Sequence, residues 1–311
     1  MIHYDRGGWL SMVLRVNGSV LPEVWPRILA TTTVSVVFTY LQQTGHFPWS
    51  LTVTPFLITG LPLGIILGFR NSSSYDRFWE GRKLWGALVN ASRSLVRQLD
   101  TFVVPRRDED AAAAAELRAR SAHRLIAFVY ALRMHLRGEK DRKELEGLLP
   151  REEIAKLDVE LSPPAAILHG LGRELRTAGE REWLHARHAP ILEGTLVSLT
   201  DVLGGCERIK NTPTPISYLI FIHRAVALYC FLLPFGVAET VRSLTPVVVF
   251  FVSYALFSLD AIGDELDDPF RTTKNALPIA KIARNIEIDV RRRMGEERIP
   301  EPIRPRDGIL L

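Results

Sequence analysis

Two cysteines, Cys206 and Cys230, are all that the 311 residues hold, and they stand far apart. That excludes a disulfide framework, and no CxxC or Cys/His spacing offers zinc a site. GxSxG, HExxH, a P-loop and a strand-associated GxGxxG are missing too, so catalysis has no visible home. There is no alternating strand pattern, no internal repeat and no low-complexity linker. The formal charge is +4, yet no module that reads RNA or DNA accompanies it, which leaves nucleic acid out as a partner. A basic balance has another source: membrane proteins gather Lys and Arg on cytoplasmic segments. The first residues, MIHYDRGGWLSMVLRV, lack a signal peptide's continuous apolar core and small-residue cleavage site. The amino terminus is therefore expected to stay in the cytoplasm.

What the chain has instead is four apolar segments, at about 26–41, 51–69, 216–238 and 243–259. A span needs ~20 residues to cross a ~30 Å hydrocarbon core. Mean hydropathy is only +0.08, too modest for a chain wholly in lipid, so much of it belongs in water. The connection 42–50, QQTGHFPWS, carries no Lys or Arg, and the one near Glu239–Arg242 carries one acid and one base. By contrast, 70–215 and 260–311 are dense in Arg and Lys. The positive-inside rule then puts both termini and the middle region in the cytoplasm, with two short loops outside.

The middle region reads as helical. DEDAAAAAELRARSAHRLIAFVYALRMHLRG (108–138) opens with acids, continues through alanines and ends in arginines, an order that suits the helix dipole. Leu125, Phe128, Val129, Leu132 and Leu136 recur at three- and four-residue steps, the mark of a buried stripe. Pro163–Pro164 break the helices, a further amphipathic helix is predicted over 189–210, and the tail PEPIRPRDGILL is expected to be extended.

The segment 51–86 is the most informative. Its apolar run ends at Arg70 and continues, still at helical spacing, into RNSSSYDRFWEGRKLWG. Leu61, Ile65 and Phe69 sit at i, i+4 and i+8 and share one face. That face runs on toward Ser72, Ser73 and Asp76, which do not belong in lipid. Gly60, Gly64 and Gly68 form a neighbouring stripe of small residues that lets helices approach closely. A helix that packs by glycine on one side and presents large apolar groups on another fits a ring of identical helices, and apolar rings gate by dewetting. Tyr75, Phe78, Trp79 and Trp85 read as packing rather than as a ligand cage.

LPLGIILGF followed by RNSSSYDRFWEGRKLWG closely resembles the bestrophin channels, above all their bacterial branch. The resemblance continues through GSVLPEVWPRIL at 18–29, NTPTPISY at 211–218, GDELDDPF at 263–270 and NALP at 275–278. It implies a homopentamer around a central ion pore, with a hydrophobic neck on the second membrane helix and a second constriction at the cytoplasmic end. Carried over by position, the neck falls on Leu61, Ile65 and Phe69, the residues the stripe selects by itself. The constriction falls near Thr214, where relatives often have a β-branched aliphatic residue.

The acids Asp264, Glu265, Asp267 and Asp268 are the candidate metal ligands, since animal bestrophins carry an unbroken acidic cluster there that helps bind calcium. Here Leu266 interrupts the run and Pro269 follows it, whereas hard cations need six to eight oxygens. A solvated subunit-contact loop is the favoured reading, and calcium is not. His223 and Arg224 are ionisable groups in an apolar segment, expected near the interface or paired with acids.

The expected molecule is thus an all-α membrane protein, a single channel domain over 1–311 with four transmembrane helices continuous with a cytoplasmic helical bundle. It is expected in the bacterial inner membrane, multi-pass, as a passive chloride or small-anion channel without a cofactor. Its partners would be copies of itself, the bilayer and small permeant ions. A sodium channel of the same fold is the alternative, and a membrane-bound all-helical enzyme a distant one.

Overall fold

The computed structural model describes residues 8–47 and 51–305. No β-strand occurs among them, only isolated bridges. The helices are α1 (Trp9–Val13), α2 (Leu21–Gln43), α3 (Thr54–Phe102), α4 (Ala111–Arg137), α5 (Arg151–Lys156), α6 (Pro163–Glu180), α7 (Ala189–Asn211), α8 (Ile216–Val241), α9 (Thr245–Asp267) and α10 (Ile279–Arg293). All four apolar segments become helices, and three run well past the apolar stretch that announces them. α2 starts five residues before Pro26, with Pro22 in its first turn, where a missing N–H costs nothing. α3 continues 33 residues beyond Phe69, to Phe102, because nothing after Pro62 breaks it. α9 carries on through the acids to Asp267.

The contacts divide the chain into two compact units whose segments interleave. The first comprises Trp79–Thr212 with the described residues from Phe270 to 305. Its centre is α4, which packs against α6, α7 and α10. Leu125, Phe128, Val129, Leu132 and Leu136 are all fully buried there, as their spacing predicts. The helix stops at Gly138, whose φ of 67° closes the end in the left-handed region that a residue without Cβ enters freely. Buried charges in this unit come paired. Arg124 meets Glu153 and Glu174, and Arg133 meets Glu139 and Glu144. Burial works to lower both guanidinium pKa values, and the carboxylates overcome it and hold both above the ordinary arginine range. Tyr130 donates to Glu287 Oε2 at 2.5 Å. Burial and that carboxylate push the phenol well up.

The second unit comprises residues 8–78 and Pro213–Pro269. Here α2 packs on α9 and α8, and α8 and α9 run antiparallel through a tight turn at Arg242–Leu244. Ile28, Leu63, Leu67, Ile222, Val226 and Phe257 form one core. Phe56, Leu233, Val237 and Val249 form a second. Gly236 permits the second core: a Cβ there would lie 2.1 Å from the Phe56 ring. α2 and α9 are also joined by a buried hydrogen bond from Thr31 Oγ1 to Ser253 Oγ at 3.1 Å. Two stretches, Leu21–Gln43 and Ile216–Asp267, are long and apolar enough to cross a membrane by length and composition. The loop end at 48–50 and the last six residues of the tail lie outside the described residues; 300–305 carry no regular structure.

Candidate functional site

α3 has one buried face and one open face through the second unit. Leu63, Leu67, Arg70 and Ser74 point inward. On the open face, Leu61 is 71%, Ile65 50% and Phe69 70% exposed. At 1.5 Å per residue these three side chains cover about 12 Å of helix, and Ser72, Ser73 and Asp76 continue the open face. Tyr75 and Trp79, expected to pack, are also half exposed in the single chain, whereas Trp85 is buried as expected. The glycine stripe divides in two. A Cβ on Gly60 would meet the Tyr229 hydroxyl at 2.7 Å, so this glycine seats α8 against α3 within the chain. A Cβ on Gly64 or Gly68 would meet no other part of the chain within 4 Å, so both are open to something outside the chain.

Directly after Phe69 the buried face of α3 becomes ionic. Arg70 is 2% exposed and Asp260 of α9 is 1% exposed. Arg70 Nη1 donates to the Asp260 carboxylate and, at 3.2 Å, to its backbone carbonyl. Arg70 Nη2 donates to Asp264. One guanidinium thereby holds two carboxylates that stand four residues apart on one face of α9. Seven residues along α3, Arg77 Nε donates to the Asp267 backbone carbonyl at 3.0 Å and lies 3.3 Å from its Oδ1. His223 of α8 joins from a third helix, with Nδ1 2.7 Å from Asp260 Oδ2, and Arg27 of α2 reaches within 4.0 Å of the same oxygen. Gly263 makes room for this. A Cβ there would fall 2.6 Å from Asn71 Oδ1 and 3.2 Å from the Arg70 guanidinium.

The acidic run is therefore not a loop, which corrects the sequence reading. Asp264, Glu265 and Asp267 are helical, and Asp268 caps the helix. Asp264 and Asp267 face basic residues of α3. Donor atoms of His223, Asp260 and Asp264 lie within 4.8 Å of one another, close enough to gather a cation, but Arg70 already occupies an oxygen of each carboxylate. Thr214 stands beside the same ladder and donates its hydroxyl to Asp267 Oδ1 at 2.6 Å. Both cysteines are free and buried. Sequence reasoning passed over Arg70, Arg77 and Asp260. The signal for them was a match of periods, i and i+7 for the arginines against i, i+4 and i+7 for the aspartates.

A family model for bacterial and fungal bestrophin proteins matches residues 1–292. The chain belongs to the bestrophin family. Relatives bear this out along the whole length. A voltage-dependent anion channel-forming protein of Ralstonia nicotianae is 38% identical over 307 residues, 97% of each chain. One of Escherichia coli K12 is 36% identical over 315 residues, 98% of each. The crystal structure of a bacterial bestrophin homologue from Klebsiella pneumoniae superposes with a TM-score of 0.81 at 35% identity, covering 88% of this chain and all of that one. The bestrophin fold, membrane-embedded and all-helical, is thus the fold of this chain, and the family is one of channels rather than enzymes.

Proposed function

We propose that this bestrophin is a homopentameric channel of the bacterial inner membrane that passes chloride and other small anions. In this reading α2, the first part of α3, α8 and α9 cross the bilayer, and both termini lie in the cytoplasm. Five copies of α3 surround the pore, with Leu61, Ile65 and Phe69 as its apolar rings and Thr214 at the cytoplasmic constriction. The observation that carries the reading is the open face of α3. Three large apolar side chains project from one edge of a helix whose other edge is buried, and Gly64 and Gly68 stand free beside them. Such a face is stable only when covered, and glycine stripes are how membrane helices are brought close. Anions are favoured by what the relatives are named for. The neck carries no charge and leaves the sign to the rest of the pore.

No cofactor enters this mechanism. Calcium would need six to eight oxygens, and Asp264 and Asp267 are spent on Arg70 and Arg77. The ladder's work is mechanical: it fixes α3 immediately below the neck. The Thr214 hydroxyl, held by Asp267, turns the constriction into a ring whose shape depends on the ladder as well.

The test is a reversal potential under asymmetric sodium chloride, in bilayers that contain this protein alone. Reversal near the chloride equilibrium potential is expected. Reversal near the sodium potential would make it a cation channel of the same fold, and absence of current would end the channel reading. In the same bilayers, replacing Leu61, Ile65 and Phe69 together with alanine widens and wets the neck, so conductance should rise. Unchanged current would place the barrier elsewhere.

A further inference from the structure

The neighbours His223 and Arg224 part company in the fold. His223 turns inward to Asp260. Arg224 is exposed, one residue or about 100° further round the helix, and among the described residues it has no hydrogen-bond or ion-pair partner. Its surroundings on α8 are apolar. A groove of about 570 Å³ is lined by Ser217, Ile220, Phe221, Arg224, Ala225 and Leu228. Ser217, Phe221, Arg224 and Leu228 follow one another at i, i+4, i+7 and i+11, so they lie along a single face. A lone cation in an apolar groove of a membrane helix is costly and marks a ligand or partner that supplies the missing anion.

The depth of Arg224 says which anion. From Val241, the last residue of α8, back to Arg224 is 17 residues, about 26 Å of helix. That is most of a ~30 Å hydrocarbon core, so Arg224 stands at the far boundary, where headgroup phosphates begin. Long side chains on a helix lean toward its N-terminus, which here means out of the hydrocarbon and toward Ser217. Guanidinium binds phosphate through two parallel hydrogen bonds, and the positive end of the helix dipole lies on the same side. On the other side of Arg224 the groove offers Ala225 and Leu228, fit for an acyl chain.

We propose that this groove binds one anionic phospholipid of the cytoplasmic leaflet. Arg224 and Ser217 take its phosphate, and Ala225 and Leu228 carry the upper part of a chain. The proposal rests on α8 crossing the membrane with its N-terminus inside, as in the reading above, but not on the chain conducting ions.

The experiment counts bound lipid by native mass spectrometry. Protein is released from nanodiscs of phosphatidylcholine containing phosphatidylglycerol, for the wild type, Arg224→Gln, Arg224→Lys and, as a control for bulk charge, Arg97→Gln on the exposed side of α3. The wild type should retain about one phosphatidylglycerol per chain. Arg224→Gln should lose it at least tenfold, Arg224→Lys should keep part of it, and Arg97→Gln should match the wild type. Millimolar inorganic phosphate should not displace it, since the acyl chain contributes to binding; displacement would make the groove a free-phosphate site and overturn the proposal. Equal retention by Arg224→Gln would also overturn it. So would an Arg224→Gln variant that falls apart into single chains while keeping its lipid, because Arg224 would then be a contact to a neighbouring copy. A protein that inserts but carries no current leaves these lipid counts untouched, so failure of the channel reading shows separately.

Discussion

The two units of the chain both bury paired charges and differ in the apolar side chains they leave open. The unit around α4 hides Leu125, Phe128 and Leu132 and sends most of its charge to the surface. The unit of α2, α8, α9 and the start of α3 exposes Leu61, Phe69, Leu57 and Leu228 and hides Arg70 and Asp260. Folding toward water puts apolar groups inside. An exposed apolar face of the size seen in the second unit marks lipid or a partner as its solvent. In lipid, the polar group is the one that must find its partner inside the protein. The difference teaches that burial alone does not identify a core: both units bury paired charges, and only the second leaves a row of large apolar side chains on α3 open.

The largest way to break the comparison is to remove one rung of the ladder. Asp260→Asn removes the buried carboxylate from Arg70 and leaves it only the half-exposed Asp264, at a cost of up to about 3–5 kcal/mol. Thermal unfolding in detergent should show the loss. The double change Arg70→Met with Asp260→Leu should recover most of it, because a buried pair replaced by apolar groups of similar size is close to neutral. If the double variant is as unstable as the single one, Asp264 and His223 depend on the pair as well.

A pair of leucines sharpens the contrast. Leu125→Ala, inside the first unit, should cost about 2–5 kcal/mol through the cavity it leaves. Leu61→Ala removes a side chain that touches little of its own chain, so under conditions that keep single chains apart it should change stability by about 0.5 kcal/mol or less. Equal losses for the two would mean that Leu61 is packed within the chain.

Gly263→Ala comes next. Its new methyl group meets Asn71 and the Arg70 guanidinium, and such overpacking costs about 1–3 kcal/mol. The same measurement on Gly64→Ala, where there is open space, should show almost no effect in single chains and a clear one on assembly.

The smallest effect is chemical. Burial pushes the Cys206 thiol up to about 12, with Glu207 and Glu80 adding to it. A folded-state value above the unfolded one means that the associated stability is complete below about pH 9 and is lost as pH rises toward 12. At pH 8, iodoacetamide should leave Cys206 unmodified in the folded protein and label it on denaturation. Fast labelling of the folded form would show that the first unit opens readily around α7.

The sequence by itself announced helices in the four apolar segments, over 108–138 and over 189–210, and the shared face of Leu61, Ile65 and Phe69 on α3, because each depends on spacing within a few turns. The buried stripe of α4 was legible for the same reason. It could not show that Arg70 would meet Asp260, 190 residues later, since pairing across such a separation depends on how α3 and α9 pack and not on any local pattern. Nor could it show that the acids after Gly263 stay helical: Leu266 and Pro269 look like a loop until Arg70 and Arg77 hold three of the aspartates on one helical face. The division of the glycines, Gly60 for Tyr229 and Gly64 and Gly68 for the outside, was likewise settled by packing, because a glycine's role is set by whatever fills the space its missing side chain leaves.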